Sequence, residues 1–179
     1  MIETLISSKT RIKLLLKFFL NNKNTGYLRN LEAEFGESTN AIRMELNRLE
    51  KAGMLTSNLE GNKKIFQANV QHPLYGEVHS IVMKYVGLDR IIQHVVKRLG
   101  AVEEVYLTGT FAKGLDSSII DLIMVGEIRV SALADLVKKA EALINRRIRY
   151  IIYSQEEFKK NQKELAQDQM LLLWQADRS

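Results

Sequence analysis

The stretch from Ser38 to Gly53, STNAIRMELNRLEKAG, has the spacing of an amphipathic helix and so constrains the N-terminal part of the chain. Serine caps a helix start and glycine stops a helix, so the helix is predicted to lie between these two residues. Its core-facing stripe is predicted to be Ile42, Leu46 and Leu49. Its solvent face carries short polar and cationic side chains, those of Thr39, Asn40, Arg43, Asn47 and Lys51. A helix lying in a DNA major groove can offer such groups to base edges and phosphates.

Two helices are predicted before this stretch. Residues Lys9 to Leu20 place their apolar side chains on one stripe, with Lys13 and Lys17 expected on the outside. After a loop from Asn21 to Gly26, a shorter apolar helix stops at Gly36. Two short helices joined by a glycine-containing turn form a helix-turn-helix arrangement.

A basic β-hairpin is predicted after the third helix. Met54 to Ser57 and Lys64 to Ala68 are short strand candidates, and Gly61-Asn62 between them can supply the positive φ of a tight turn. Lys63 and Lys64 are expected near the tip of this hairpin.

The segment from about Lys9 to Asn69 resembles winged-helix regulators of the ArsR and MarR-like type, with AIRMELNRLEKAGML similar to their recognition helix and following strand. The resemblance implies a homodimer on a roughly palindromic double-stranded DNA site. A winged helix used only for protein contacts is the alternative. The DNA-binding residues implied are Thr39, Asn40, Arg43, Asn47 and Lys51 on the helix, with Lys63 and Lys64 as phosphate contacts.

Charge and composition are consistent with this interpretation. The first 70 residues hold 11 Lys and Arg against 7 Asp and Glu, whereas the remainder holds 15 against 14, so the basic excess lies in the first part. The absence of cysteine excludes disulfides, thiolate metal sites and cysteine nucleophiles. No apolar run approaches 18 residues and no signal-peptide pattern is present, so a cytoplasmic protein without a membrane partner is expected.

The domain boundaries are predicted from Pro73, the only proline of the chain. Residues 1–72 are assigned to the winged helix, residues 73–100 to a helical connector, and residues 101–179 to a mixed α/β domain, which makes the whole chain α+β. The first connector helix, with Val78, Ile81 and Val82 on one stripe, is expected to form a dimer seam. The second, Asp89 to Leu99, is expected to join the core of the C-terminal domain.

The C-terminal part alternates strand and helix patterns. A helix is predicted between the second and third strands, and Ser154 with Glu157 forms a capping box for another helix. The predicted strands are Val102 to Thr108, Ile119 to Val125, Arg147 to Tyr153 and Met170 to Trp174.

The segment Gly109 to Gly126, GTFAKGLDSSIIDLIMVG, resembles the minimal nucleotidyltransferases of the polymerase β superfamily. Their signature is Gly-Ser in a tight turn, followed by a strand with Asp-x-Asp. Two carboxylates two residues apart on a strand point to the same side and can hold two divalent ions for phosphoryl transfer. The residues that match the nucleotide-binding positions are Gly109, Thr110, Lys113 and Asp121.

The first acidic position is Ile119, which cannot ligate Mg²⁺, and the strand RIRYIIY has arginines where a third carboxylate is expected. A degenerate domain with vestigial nucleotide-binding residues is therefore predicted, with no catalytic residue, metal or cofactor, and Asp121 is interpreted as a hydrogen-bonded strand residue. Two alternatives stay open. One is an active enzyme that uses Mg²⁺ and transfers NMP to a small molecule, protein or RNA. The other is an antitoxin-like module with a protein partner.

Overall fold

The computed structural model describes residues 2–165 and 169–177 and is of the mixed α and β class. The chain divides into two compact units, Met1–Tyr85 with Gly114–Asp116, and Val86–Lys113 with Ser117–Ser179. None of the helices in the described ranges has both the length and the apolar character that a bilayer crossing requires.

The first unit packs helices against a small antiparallel sheet of strand order β1-β3-β2. Its core contains Leu14, Phe18, Leu31, Ile42 and Leu46, each at most 1% exposed. Its elements are α1 (Ile2–Leu5), α2 (Lys9–Phe19), β1 (Thr25–Gly26), α3 (Leu28–Phe35), α4 (Thr39–Lys51), β2 (Leu55–Glu60), β3 (Lys63–Ala68) and α5 (Tyr75–Val86).

Helix α4 forms as its local sequence predicts. The Ser38 hydroxyl accepts a hydrogen bond from the backbone N–H of Ala41, which satisfies one of the unpaired donors of the first turn. Gly53 follows the helix with φ +74°, a left-handed conformation that suits glycine. The predicted apolar stripe is buried, and the predicted polar face is exposed except at Thr39, which is partly covered.

Two sequence-based expectations for the first unit are wrong. Lys17, expected on the outer face of its helix, is 5% exposed, and its ammonium lies 2.7 Å from a Glu34 carboxylate oxygen of α3. Residues 21–26, expected to be only a loop, include β1, in which Thr25 pairs with Gln67. Both features depend on partners that lie far away in the sequence, which helical spacing and turn signals do not report.

The hairpin strands are longer than predicted. They pair antiparallel from Leu55 with Ala68 to Glu60 with Lys63, so Gly61 and Asn62 alone form the turn. Gly61 has φ +58°, the conformation that a two-residue hairpin turn requires. Lys63 therefore lies directly beside the turn.

The second unit contains a four-stranded sheet of order β6-β5-β4-β7, in which β5 and β6 are parallel and the other pairs antiparallel. The four strands and two helices predicted after residue 100 are present. The elements are α6 (Leu88–Ile91), a π-helical turn (Ile92–Val96), α7 (Lys97–Leu99), β4 (Val102–Thr108), α8 (Gly109–Ala112), β5 (Ile119–Gly126), α9 (Val130–Ile144), β6 (Arg147–Tyr153), α10 (Gln155–Leu165) and β7 (Leu171–Gln175).

The segment from Asp89 to Leu99, predicted as one helix, is interrupted by the π-helical turn. As expected, it joins the core of the second unit, where α6 and the π-helical turn pack on α9. Helix α10 lies on another part of the sheet, and its Phe158 packs against Ile123 and Val125 of β5. This helix leaves part of the sheet near Asp121 open as a cavity.

Candidate functional site

A groove of about 590 Å³ lies between α4 and the β2–β3 hairpin. Of the described residues that line it, four are cationic and none is acidic. Its polar lining can therefore donate hydrogen bonds to an anion, and no carboxylate is among its described lining residues. We call it the basic groove, and its lining residues are Tyr27, Leu28, Arg29, Arg43, Leu46, Asn47, Asn62, Lys63, Lys64 and Phe66.

Two helices and one strand position the polar side chains of the basic groove. Arg43 and Asn47 lie one turn apart on the exposed stripe of α4. Arg29 is exposed in the first turn of α3. On β3, the Lys63 ammonium lies 4.6 Å from the centre of the Tyr27 ring, a cation–π contact that holds this lysine beside the groove.

Lys64 is engaged by the protein itself. Its ammonium donates to Glu50 Oε2 at 2.7 Å, and the Ser57 hydroxyl donates to Glu50 Oε1. These hydrogen bonds, that from Lys64 first, lower the pKa of Glu50, so the carboxylate stays charged beside the lysine. Lys64 therefore offers less free positive charge to a ligand than Lys63.

The basic groove brings together Arg43, Asn47, Lys63 and Lys64, four of the residues predicted to bind DNA. The other three, Thr39, Asn40 and Lys51, lie on α4 outside its lining. The Asn40 amide lies 3.7 Å from the Met44 sulfur, and Asn40 and Lys51 are both exposed.

Sequence reasoning missed Tyr27, Arg29 and Asn62. Helical spacing could have placed Arg29 on the outside of α3, because Leu31 and Phe35 define the buried face. Its place beside the hairpin could not be derived, since it follows from the pairing of β1 with β3.

In the second unit, Gly109 and Asp121 are in close contact. Gly109 has φ +66°, and a Cβ at this position would lie 2.5 Å from Asp121 Oδ2. The other Asp121 oxygen, Oδ1, accepts a hydrogen bond from Arg149 Nε at 2.6 Å. The parallel register of β5 and β6 places Asp121 and Arg149 side by side. The hydrogen bond to Asp121 raises the pKa of Arg149. Asp121 is thus a hydrogen-bonded strand residue.

Gly109, Lys113 and Asp121 line one cavity, whereas Thr110 is exposed outside its lining. The residue two positions before Asp121 is Ile119, so no carboxylate stands there. Ile119 starts β5 and is paired in register with Arg147. Among the described residues, no group of three or more His, Asp and Glu side chains is placed to hold a metal ion. The described side chains around Asp121 therefore lack the second carboxylate that a paired-ion centre uses.

Replacing Gly109 with alanine is expected to destabilise the protein by about 2 kcal/mol, roughly twice the loss in Gly100→Ala. Both glycines have positive φ, but a Cβ at Gly100 meets nothing within 4 Å, whereas at Gly109 it meets the Asp121 carboxylate. Urea unfolding of the two variants measures this difference. Equal losses would show that the Asp121 contact does not require glycine.

No protein-family model and no curated protein sequence matches this chain. Among solved structures, a proposed nucleotidyltransferase from Sulfolobus solfataricus is similar at 22% identity and TM-score 0.38, covering 57% of this chain and 89% of that chain. A variant of the MntA–HpeT toxin–antitoxin complex gives 18% identity and TM-score 0.39, covering 50% and 73%. A tri-AMPylated HEPN toxin in complex with MNT antitoxin from Shewanella oneidensis gives 16% identity and TM-score 0.38, covering 52% and 74%.

Proposed function

We propose that the first unit is a winged-helix domain that binds double-stranded DNA, and that the protein acts as a homodimeric transcription regulator. The observation that supports this most strongly is the basic groove, where Arg29, Arg43 and Lys63 stand together and no described lining residue is acidic. Phosphate neutralisation by clustered cations supplies nearly all of the non-specific affinity of a protein for DNA and a large share of the specific affinity.

Helix α4 has the shape and the side chains for base reading. An α-helix is about 10–12 Å across, which suits a major groove about 12 Å wide. Arg43 can donate two hydrogen bonds to O6 and N7 of guanine, and Asn47 can pair with N6 and N7 of adenine. Asn62 within the hairpin turn and Lys63 beside it are then available to the phosphate backbone.

The homodimer is proposed to form through α5. Ile81 of this helix is 46% exposed and available to a partner copy, whereas Val82, also expected in the seam, is 2% exposed and belongs to the core of its own chain. In the proposed dimer, two copies related by a two-fold axis are expected to hold their α4 helices at half-sites about 34 Å apart, one turn of duplex.

The salt dependence of binding tests the phosphate contacts. Replacing Lys63 with alanine is expected to make the fall of log K with log salt concentration shallower, by about 1 in slope, because one fewer counterion is released. Fluorescence anisotropy of a labelled duplex between about 50 and 200 mM salt measures this slope. Lys139→Ala, an exposed lysine of α9, is the control, and equal slopes for the two variants would count against a phosphate contact by Lys63.

The second unit is proposed to be a nucleotidyltransferase-like domain without metal-dependent transfer activity. Incubation of the protein with labelled nucleoside triphosphates and Mg²⁺ or Mn²⁺ is expected to give no labelled product, because Asp121 faces Arg149 instead of a second carboxylate. Label transfer that disappears in Asp121→Ala would establish the enzymatic alternative instead.

An antitoxin-like protein-binding role is the second candidate for this unit. It is favoured by exposed apolar side chains on both edge strands, Ile151 of β6 at 55% and Leu172 of β7 at 47%. Affinity purification of the tagged full chain from its host cells tests this role. A complex that survives purification and is lost in Leu172→Asp would support it, whereas a complex unaffected by that change would not.

A further inference from the structure

The cavity beside Asp121 has a volume of about 720 Å³, within the range of pockets that hold small molecules. All of the described residues that line it belong to the second unit. DNA binding by the first unit gives this cavity no role.

Strand register separates a polar end of the cavity from an apolar end. Thr108, Asp121 and Arg149 are paired neighbours across β4, β5 and β6, and all three line the cavity. Two residues further along β5 and β6, Ile123 pairs with Ile151. Residues two apart on a strand point to the same face about 7 Å from one another, so the isoleucine pair continues the wall begun by the polar side chains.

Two further apolar side chains enclose the apolar end. Leu165 and Met170 pack against the buried cluster formed by Ile123, Val125 and Phe158, and both line the cavity. An apolar group placed here would leave water for a wall of Ile, Leu and Met side chains, which is favourable at about 25 cal/mol per Å² buried.

The described charged residues that line the polar end carry a net positive charge. The Asp121 carboxylate is matched by Arg149, with 2.6 Å between Oδ1 and Nε. Lys113 is exposed, and within residues 2–165 and 169–177 no ion pair or hydrogen bond involves its ammonium. Among these three charged lining residues the balance is therefore one positive charge, held by a lysine that is free to meet an anion.

We propose that this cavity binds a small amphipathic monoanion, a carboxylate with an aryl or medium-chain alkyl body. The carboxylate lies beside Lys113 and Arg149, and the apolar body extends for about 7 Å or more along Ile123, Ile151 and Met170. A metal-bound triphosphate suits the cavity less, because that ligand needs paired carboxylates for its ions and offers nothing to the isoleucine wall.

Calorimetric titration of the full chain with 4-butylbenzoate tests the site. Butylbenzoate is expected to bind, and ATP with or without Mg²⁺ is expected to bind more weakly. Lys113→Met should weaken butylbenzoate binding about tenfold through loss of the charge-assisted contact, and Ile151→Asp should weaken it about as much by placing a second carboxylate in the apolar end. Lys138→Met, an exposed lysine of α9 outside the lining, should leave the affinity unchanged.

Each other outcome overturns the proposal. Tighter binding of ATP than of butylbenzoate would make the cavity a nucleotide site, and no heat with any ligand at two well-separated temperatures would show that it is not a ligand site. Equal affinity of wild type and Lys113→Met for butylbenzoate would show that the ligand carboxylate does not bind at the polar end. Lys113 is exposed, so the wild-type urea midpoint is expected for Lys113→Met and shows that the variant is folded.

Discussion

Replacing Arg43 with alanine is expected to weaken binding to the specific duplex about 5- to 150-fold, since a bidentate arginine–guanine pair contributes about 1–3 kcal/mol. Arg43 is exposed in the middle of α4 and lines the basic groove, so its guanidinium is free to reach a base edge. Specificity should relax at one base pair of each half-site. Gel retardation at about 100 mM salt, with a site selected from random duplexes, measures both effects.

Lys139→Ala is the matched control because it removes an exposed cation of α9 in the second unit. It should change the affinity little, and it should leave the preferred sequence unchanged. Similar losses in Lys139→Ala and Arg43→Ala would mean that net charge, and not base reading by α4, accounts for binding.

Replacing Arg11 with methionine is expected to destabilise the protein by about 3 kcal/mol, because the buried Glu45 carboxylate loses both hydrogen bonds from Arg11 and keeps only Ser8 and the exposed Arg48 as partners. The Glu45 side chain is 6% exposed and accepts hydrogen bonds from Arg11 at 2.9 and 3.2 Å and from Arg48 at 3.2 Å. Arg48 is 58% exposed, so Arg48→Met should cost less than about 1 kcal/mol. Urea unfolding near neutral pH measures both.

The double variant Arg11→Met/Glu45→Met serves as the internal control. Removing both charges should recover part of the stability lost in Arg11→Met, because no buried charge then stays unpaired. A double variant as unstable as the sum of its single variants would contradict this explanation. Since α2 and α4 pack together, the Arg11–Glu45 pair also fixes the helix that is proposed to read DNA.

The same pair gives the stability a pH dependence of defined sign. Burial acts to raise the pKa of Glu45, but hydrogen bonds from Arg11 and Ser8 and the charges of Arg11 and Arg48 together hold it below the ordinary value of 4.5. Because the pKa is lower in the folded state than in the unfolded state, ionised Glu45 stabilises the fold at pH values above 4.5. This stabilisation is lost as the pH falls through the folded-state pKa. Wild type should therefore lose more stability than Glu45→Gln as the pH falls below 4.5.

Local patterns were sufficient to predict most of the elements. The caps of α4 and its stripe of Ile42 and Leu46 are set by residues within four positions of one another, so the helix could be derived from sequence. The continuous apolar run of β5 likewise predicted a buried strand. The π-helical turn at Ile92–Val96 could not be predicted, because it lies within an otherwise regular helical pattern.

The features that sequence reasoning missed depend on long-range partners. The burial of Lys17 depends on Glu34 of α3, and Arg29 lines the basic groove because β1 pairs with β3. The sequence showed arginines in the third strand, but only the parallel register of β5 and β6 determines that Arg149, and not Arg147, meets Asp121. Residues that a helix or strand presents on its own could be predicted, whereas pairings between elements could not.

The measurement that tests the DNA-binding proposal most directly is dimethyl sulfate modification of guanine N7, a major-groove atom, in the selected duplex. With wild-type protein bound, at least one guanine in each half-site should be protected, and these positions should lie about one helical turn apart. In Arg43→Ala, under conditions that saturate the duplex, that guanine should regain its reactivity. Full reactivity of every guanine in the wild-type complex, or no complex at about 50 mM salt, would contradict the proposal that α4 lies in the major groove.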